Sequence, residues 1–205
     1  GGSMILALLS SLASAAPIVN GRLESEFPST VALGADFNGY LFSACTGNLI
    51  TPLIVLTAAH CGDEVPLEAL VTYGVAFFGD DVNSAEEVIG MDDLIVHPEY
   101  RELGTEGAWD YGEYDVALLR LDEEASVEPT LFRTAPVSQE EQGTSLISVG
   151  FGITGANRSD SGVKRSADLI LSSVQSMFLI VDSDDNDESS NICSGDSGGP
   201  MFHYN

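Results

Sequence analysis

After Gly21 the sequence is a succession of short apolar runs cut off by turn-forming residues, and this pattern constrains the fold more than any other feature. One set comprises Thr30-Val31-Ala32-Leu33, Leu49-Ile50, Ile54-Val55-Leu56-Thr57, Leu70-Val71-Thr72-Tyr73, Leu94-Ile95-Val96 and Val116 to Leu121. Runs this short, each bounded by turn residues, predict antiparallel strands that close into a barrel or sandwich. Helical periodicity is nearly absent, with a single turn expected around Thr57 to Cys61. A second set follows at Leu146 to Gly152, Ser166 to Val174 and Met177 to Val181. Between the sets lies Asp122 to Thr144, polar and acidic, with Pro129 and Pro136, the composition of an interdomain connection. At 205 residues and 44% hydrophobic content, the chain can bury one large β domain or two small ones.

The N-terminal stretch from Met4 to Ala15 is apolar, too short to span a bilayer, and ends in a small-x-small pattern. It is read as a secretion signal, although no lysine or arginine precedes it. Export makes disulfides available. Cys45 and Cys61 are spaced to close one hairpin-sized stretch, leaving Cys193 without a candidate, so the odd count points to missing sequence or an intermolecular bond. Acidic residues number 32 against 7 basic ones, a formal charge of −25. Such a surface repels nucleic-acid phosphates and anionic lipid, so neither is expected as a partner. With Lys164 as the single lysine, the excess fits both a salt-adapted surface and ordinary solvated acidic loops. The tract Asp182 to Glu188 starts like a calcium loop but has Asp187 where the turn needs glycine and Cys193 where a bidentate glutamate belongs. No metal site or cofactor is expected.

Three separated segments carry the chemistry. Gly195-Asp196-Ser197-Gly198-Gly199-Pro200 sets one hydroxyl in a glycine-rich turn, Thr57-Ala58-Ala59-His60-Cys61 offers a base, and Asp115-Val116-Ala117-Leu118 offers a carboxylate. Singly, each has a dull alternative: a turn serine, a satisfied core histidine, a strand cap. Jointly they supply nucleophile, base and orienting acid. Asp110 ranks below Asp115, which leads directly into an apolar run that would hold it rigidly. His97, before a proline, and His203, too close to Ser197, are weaker bases. The order His, Asp, Ser separates this arrangement from α/β-hydrolases and subtilisins.

With Ile18-Val19-Asn20-Gly21, His97-Pro98-Glu99-Tyr100 and Val149-Gly150-Phe151-Gly152 added, the chain from Ile18 onward resembles the trypsin and chymotrypsin serine endopeptidases. The resemblance implies an all-β fold of two antiparallel six-stranded barrels with the site between them. It implies boundaries of 1–17 for signal and pro-segment, 18–128 for the first barrel, and 129–205 for connection and second barrel. It assigns Ser197 as nucleophile, His60 as general base, Asp115 as its orienter, and the amides of Gly195 and Ser197 as oxyanion donors. The freed amine of Ile18 would pair with Asp196, whose buried charge needs a partner. Pro17 stands where a basic residue usually precedes such an amine, so cleavage after Ala15 and removal of Ala16-Pro17 by a dipeptidyl peptidase is the expected route.

Asn191, six residues before the nucleophile, matches the floor of the specificity pocket, and its neutral amide gives no strong reason to prefer Arg or Lys. Family members continue past this turn with pocket-lining strands and a cysteine to pair with Cys193. The resemblance therefore describes a precursor with an incomplete second barrel. The expected protein is a secreted, extracellular or periplasmic, monomeric serine endopeptidase, acting on proteins or peptides and open to protein protease inhibitors. The alternative is a noncatalytic homologue serving as a binding module.

Overall fold

A computed structural model describes residues 18, 21–106, 109–155, 157–176, 178–183 and 191–203. The signal segment, Met177 and most of the acidic 182–188 tract therefore lie outside the described residues.

The first set of apolar runs forms a closed six-stranded barrel. Its strands are β2 (Thr30–Phe37), β3 (Tyr40–Thr51), β4 (Ile54–Thr57), β5 (Gly74–Phe78), β6 (Glu87–Val96) and β9 (Ala117–Leu121), joined in the order β2-β3-β4-β9-β6-β5. Period-two burial is plain in β9, where Ala117, Leu119 and Leu121 point inward while Leu118 and Arg120 face out. Val31, Leu49, Val55, Ile89 and Leu119 meet in one core cluster. Full burial of such side chains stabilises by about 1.5–3 kcal/mol each. Between β6 and β9 an antiparallel pair, β7 (Arg101–Glu106) and β8 (Trp109–Glu113), stands apart as its own sheet.

The second set forms an open sheet that curls into a half-barrel. Its strands are β1 (Arg22–Leu23), β10 (Ser145–Gly150), β11 (Arg165–Val174), β12 (Leu179–Ser183) and β13 (Met201–Phe202), with β1 and β12 on β11 and β13 on β10. Residues 22–23 thus add a strand to the sheet built from the far end of the chain. The 122–144 stretch carries no strand, only a 3-10 turn at Gln139–Glu141.

One strand expectation is corrected. Leu70 to Tyr73 is the second half of a helix, α1 (Leu67–Tyr73), and the strand follows it as β5. Pro66, at the N-cap with φ −57°, starts the helix without giving up a needed amide. Leu67-Glu68-Ala69 are good helix formers, and Thr72 Oγ1 donates back to Glu68 O, which satisfies the hydroxyl within the helix.

The barrel and half-barrel meet through Ala32, Phe77, Val82 and Phe151. Lys164, the chain's single lysine, lies in this seam rather than on the surface. Its Nζ donates to Phe27 O at 3.3 Å, lies 3.6 Å from Asp80 and sits 5.6 Å from the Phe151 ring centre. Burial pulls its pKa down, with Asp80 opposing.

Candidate active site

His60 sits on a 3-10 turn (Ala59–Cys61) directly after β4, and the buried Ala59 anchors that turn. Its backbone N–H donates to Asp115 Oδ1 at 2.9 Å, and its Nδ1 lies 2.7 Å from Asp115 Oδ2. A carboxylate only accepts, so Nδ1 carries the proton and Nε2 is left as the acceptor a general base needs. Asp115 owes its aim to the residue before it: Tyr114 takes a left-handed φ of +55°, and its ring stacks on His97 at 5.0 Å. His97 N–H donates to Val116 O at 3.0 Å, clamping the other side of Asp115. His97, the rival base, is thus built into the wall that holds the carboxylate. The side chain of Asp110 lies outside the described residues. Tyr100 packs nearby, and burial together with Asp63 and Asp115 pushes its phenol up to about 12, keeping it neutral.

The Gly195 to Pro200 turn is tied to the barrel through Thr46, a fully buried residue of β3 that sequence reasoning missed. Thr46 N–H donates to Ser197 O at 2.9 Å, and Thr46 Oγ1 donates to Gly195 O at 2.8 Å while accepting from Phe151 N–H at 3.0 Å. Thr46 O in turn accepts from Thr57 Oγ1 at 2.9 Å, so one residue links the serine turn, the half-barrel and the strand that leads into the His60 turn. Its only signal in the sequence is its place beside Cys45. Gly195 and Gly198 adopt φ of +97° and +79°, a region that favours glycine. Among the described residues, neither the Gly195 nor the Ser197 N–H donates to a protein acceptor, and no hydrogen bond joins the Ser197 hydroxyl to His60.

Asp196 is buried, and its two oxygens accept from Gly152 N–H and Cys193 N–H, each at 2.8 Å. Burial raises its pKa, while those two amides and the positive field of Arg165 oppose the rise. Ile18 is also buried, and its carbonyl accepts from Gly21 N–H. It is an internal residue in this chain, and no hydrogen bond joins it to Asp196 among the described residues. Asn191 is exposed, with Oδ1 accepting from Ile192 N–H.

Cys45 and Cys61 form a disulfide, and Cys193 is a free thiol. A ring nitrogen of His60 approaches both bridged sulfurs within 4.8 Å, but sulfurs in a disulfide offer no thiolate to a metal. Among the described residues no helix is long and apolar enough to cross a membrane.

A closed barrel packed on a curled half-barrel, with histidine and aspartate on one and a glycine-rich serine turn on the other, defines the chymotrypsin-like class of β protein. The trypsin family model matches residues 19–205, and the chain belongs to the trypsin family of serine proteases. It is 29% identical over 195 residues to CLIP domain-containing serine protease B10 of Anopheles gambiae, a match covering 77% of this chain and 50% of that protein. It is 33% identical over 119 residues to chymotrypsin-like elastase family member 3B of Macaca mulatta, covering 54% and 42%. The chain thus spans about half the length of the curated relatives it matches. Among solved structures, human heparin binding protein superposes with a TM-score of 0.67 at 21% identity, covering 91% of this chain and 80% of that one. An atomic-resolution structure of HBP gives 0.65 at 20% identity over the same shares. At such identity the likeness speaks for the fold alone.

Proposed function

We propose that the chain carries the protease unit of a secreted serine endopeptidase, in precursor form. Residues 1–17 are its signal and pro-segment, 18–128 its first barrel, and 129–205 its connection and second barrel. Ser197 attacks the scissile carbonyl as His60 Nε2 takes its proton, and His60 then protonates the leaving amine. Asp115 holds the imidazole and steadies its charged form. These roles follow the general template for such triads. The carbonyl oxygen, as it becomes an oxyanion, takes the N–H groups of Gly195 and Ser197, each such donor being worth about 3 kcal/mol of barrier. The observation that carries the reading is the two-point grip of Asp115 on His60, which leaves Nε2 free to accept.

Activation follows from Asp196. Release of the Ile18 amine supplies a full positive charge to a buried carboxylate whose partners among the described residues are two amides and the field of Arg165. Extracellular localisation is supported by the Cys45–Cys61 disulfide, which persists in an oxidising compartment. Substrates are proteins or peptides, with Asn191 at the floor of the primary pocket; protein protease inhibitors are the further partners, and the working form is a monomer.

One observation favours a second reading, a noncatalytic homologue acting as a binding module: the absence of a Ser197–His60 hydrogen bond among the described residues. Heparin, named for the solved neighbours, is a polyanion and is a poor match for a chain of charge −25. Casein hydrolysis by secreted protein whose N-terminus is Ile18 separates the two. The protease reading expects turnover that His60→Ala abolishes; full processing without turnover supports the binding module.

A further inference from the structure

A cavity of about 420 Å³ opens at one end of the first barrel, beneath α1 and behind the Cys45–Cys61 disulfide. Leu33, Met91 and Leu119 form its buried floor. Phe37 and Phe42 from β2 and β3, with Val65 ahead of α1, line it while staying about half exposed, at 48%, 51% and 43%. The volume falls in the range of ligand sites, and an apolar cavity of this kind is unfavourable for water. A smaller space of about 150 Å³ adjoins it across Gly62 and Leu70 and is lined by Asp63 and Asp93.

The charge around this site is predominantly negative: Arg120, one residue from the lining Leu119, is paired with Asp92. Between Arg22 and Arg101 the chain has no lysine or arginine, against thirteen aspartates and glutamates. Asp36, Asp63, Glu64 and Glu68 stand within a residue or two of the cavity's lining on β2, on the loop after His60 and on α1. A second copy of this chain would bring the same negative charge, and an anionic ligand would be repelled. Phe37, Phe42 and Tyr73 line the cavity while remaining partly exposed, which suits an occupant with flanking chain as well as an anchor.

We propose that this cavity is a docking site for a cationic polypeptide segment, which buries one bulky apolar side chain in the cavity while flanking lysines or arginines meet Asp63, Glu64 and Glu68. The inference does not depend on Ser197 being a nucleophile.

The test is fluorescence anisotropy with a fluorescein-labelled peptide carrying one phenylalanine between lysine pairs, titrated with the Ser197→Ala full chain so that the probe survives. Replacing the phenylalanine by alanine in the peptide is expected to weaken binding roughly tenfold or more. Ala44→Trp, which blocks the cavity from β3, and Ala69→Phe, which fills it from α1, are each expected to do the same with the fold intact by circular dichroism. Asp63→Lys with Glu64→Lys is expected to lower affinity severalfold and flatten its dependence on sodium chloride. Binding unchanged by either cavity substitution overturns the site, and equal binding of a glutamate-for-lysine peptide overturns its charge preference. Absence of binding by the lysine peptide overturns the proposal outright, as does concentration-dependent dimerisation that Ala44→Trp abolishes. If either cavity variant misfolds, the alanine peptide on the parent chain decides.

Discussion

Gly198→Ala is the sharpest structural perturbation of the serine turn. The residue has φ +79°, where a Cβ costs about 1–2 kcal/mol by backbone conformation alone. That Cβ would also stand within 3.0 Å of Thr57 Oγ1, Thr46 O and Ala58 N, two of them backbone atoms of the barrel. Relief requires the serine turn to move away from the strand and turn that carry His60, at the overpacking cost of about 1–3 kcal/mol. The sum is roughly 2–5 kcal/mol, which for a chain of this length is a fall in Tm of about 5–15 °C. Gly39→Ala is the control, since Gly39 has φ +94° but nothing within 4 Å of its would-be Cβ. Thermal unfolding followed by circular dichroism should show Gly198→Ala losing clearly more than Gly39→Ala. Equal losses would mean that the turn is not packed against Thr46 and Thr57 as described, and the reasoning from that contact fails.

Replacing Cys45 and Cys61 together by alanine removes a cross-link of sequence separation 16, worth about 3 kcal/mol by loop entropy; urea unfolding should show that loss, and a change under 1 kcal/mol would contradict it. Asp196 has a folded pKa raised above its unfolded value, so its contribution is fully present below the unfolded pKa and is lost as pH rises through the folded one. In the unprocessed chain, the Tm of the parent relative to Asp196→Asn should therefore fall from pH 3 toward pH 7, and a rise would refute the assignment. With Ile18 as the N-terminus the ammonium group should reverse that trend, which tests the proposed pairing directly.

The barrel was legible because its strands are short and one-faced: β4 occupies the run Ile54 to Thr57, and β9 alternates inward and outward residue by residue. The α1 helix was not legible, since Val71-Thr72-Tyr73 carry strand preference and only Pro66 with the helix formers Leu67-Glu68-Ala69 tips the balance. At the site, His60, Asp115 and the glycine-rich turn announce themselves by residue type and local sequence. Their supports do not: Thr46 acts through backbone groups 149 to 151 positions away, and Tyr114 through a backbone angle that tyrosine rarely adopts. Lys164, a surface residue by ordinary composition rules, is buried because Phe27 O, Asp80 and Phe151 happen to converge on it in the seam.

The proposed function stands or falls on Ser197 being a nucleophile activated by His60. Labelling with a fluorophosphonate probe, on protein beginning at Ile18 and on the unprocessed chain, tests it most directly. Strong labelling of the processed form, weak labelling of the precursor, and none in Ser197→Ala or His60→Ala are expected. Labelling that survives Ser197→Ala, or a processed protein that never reacts, would contradict it.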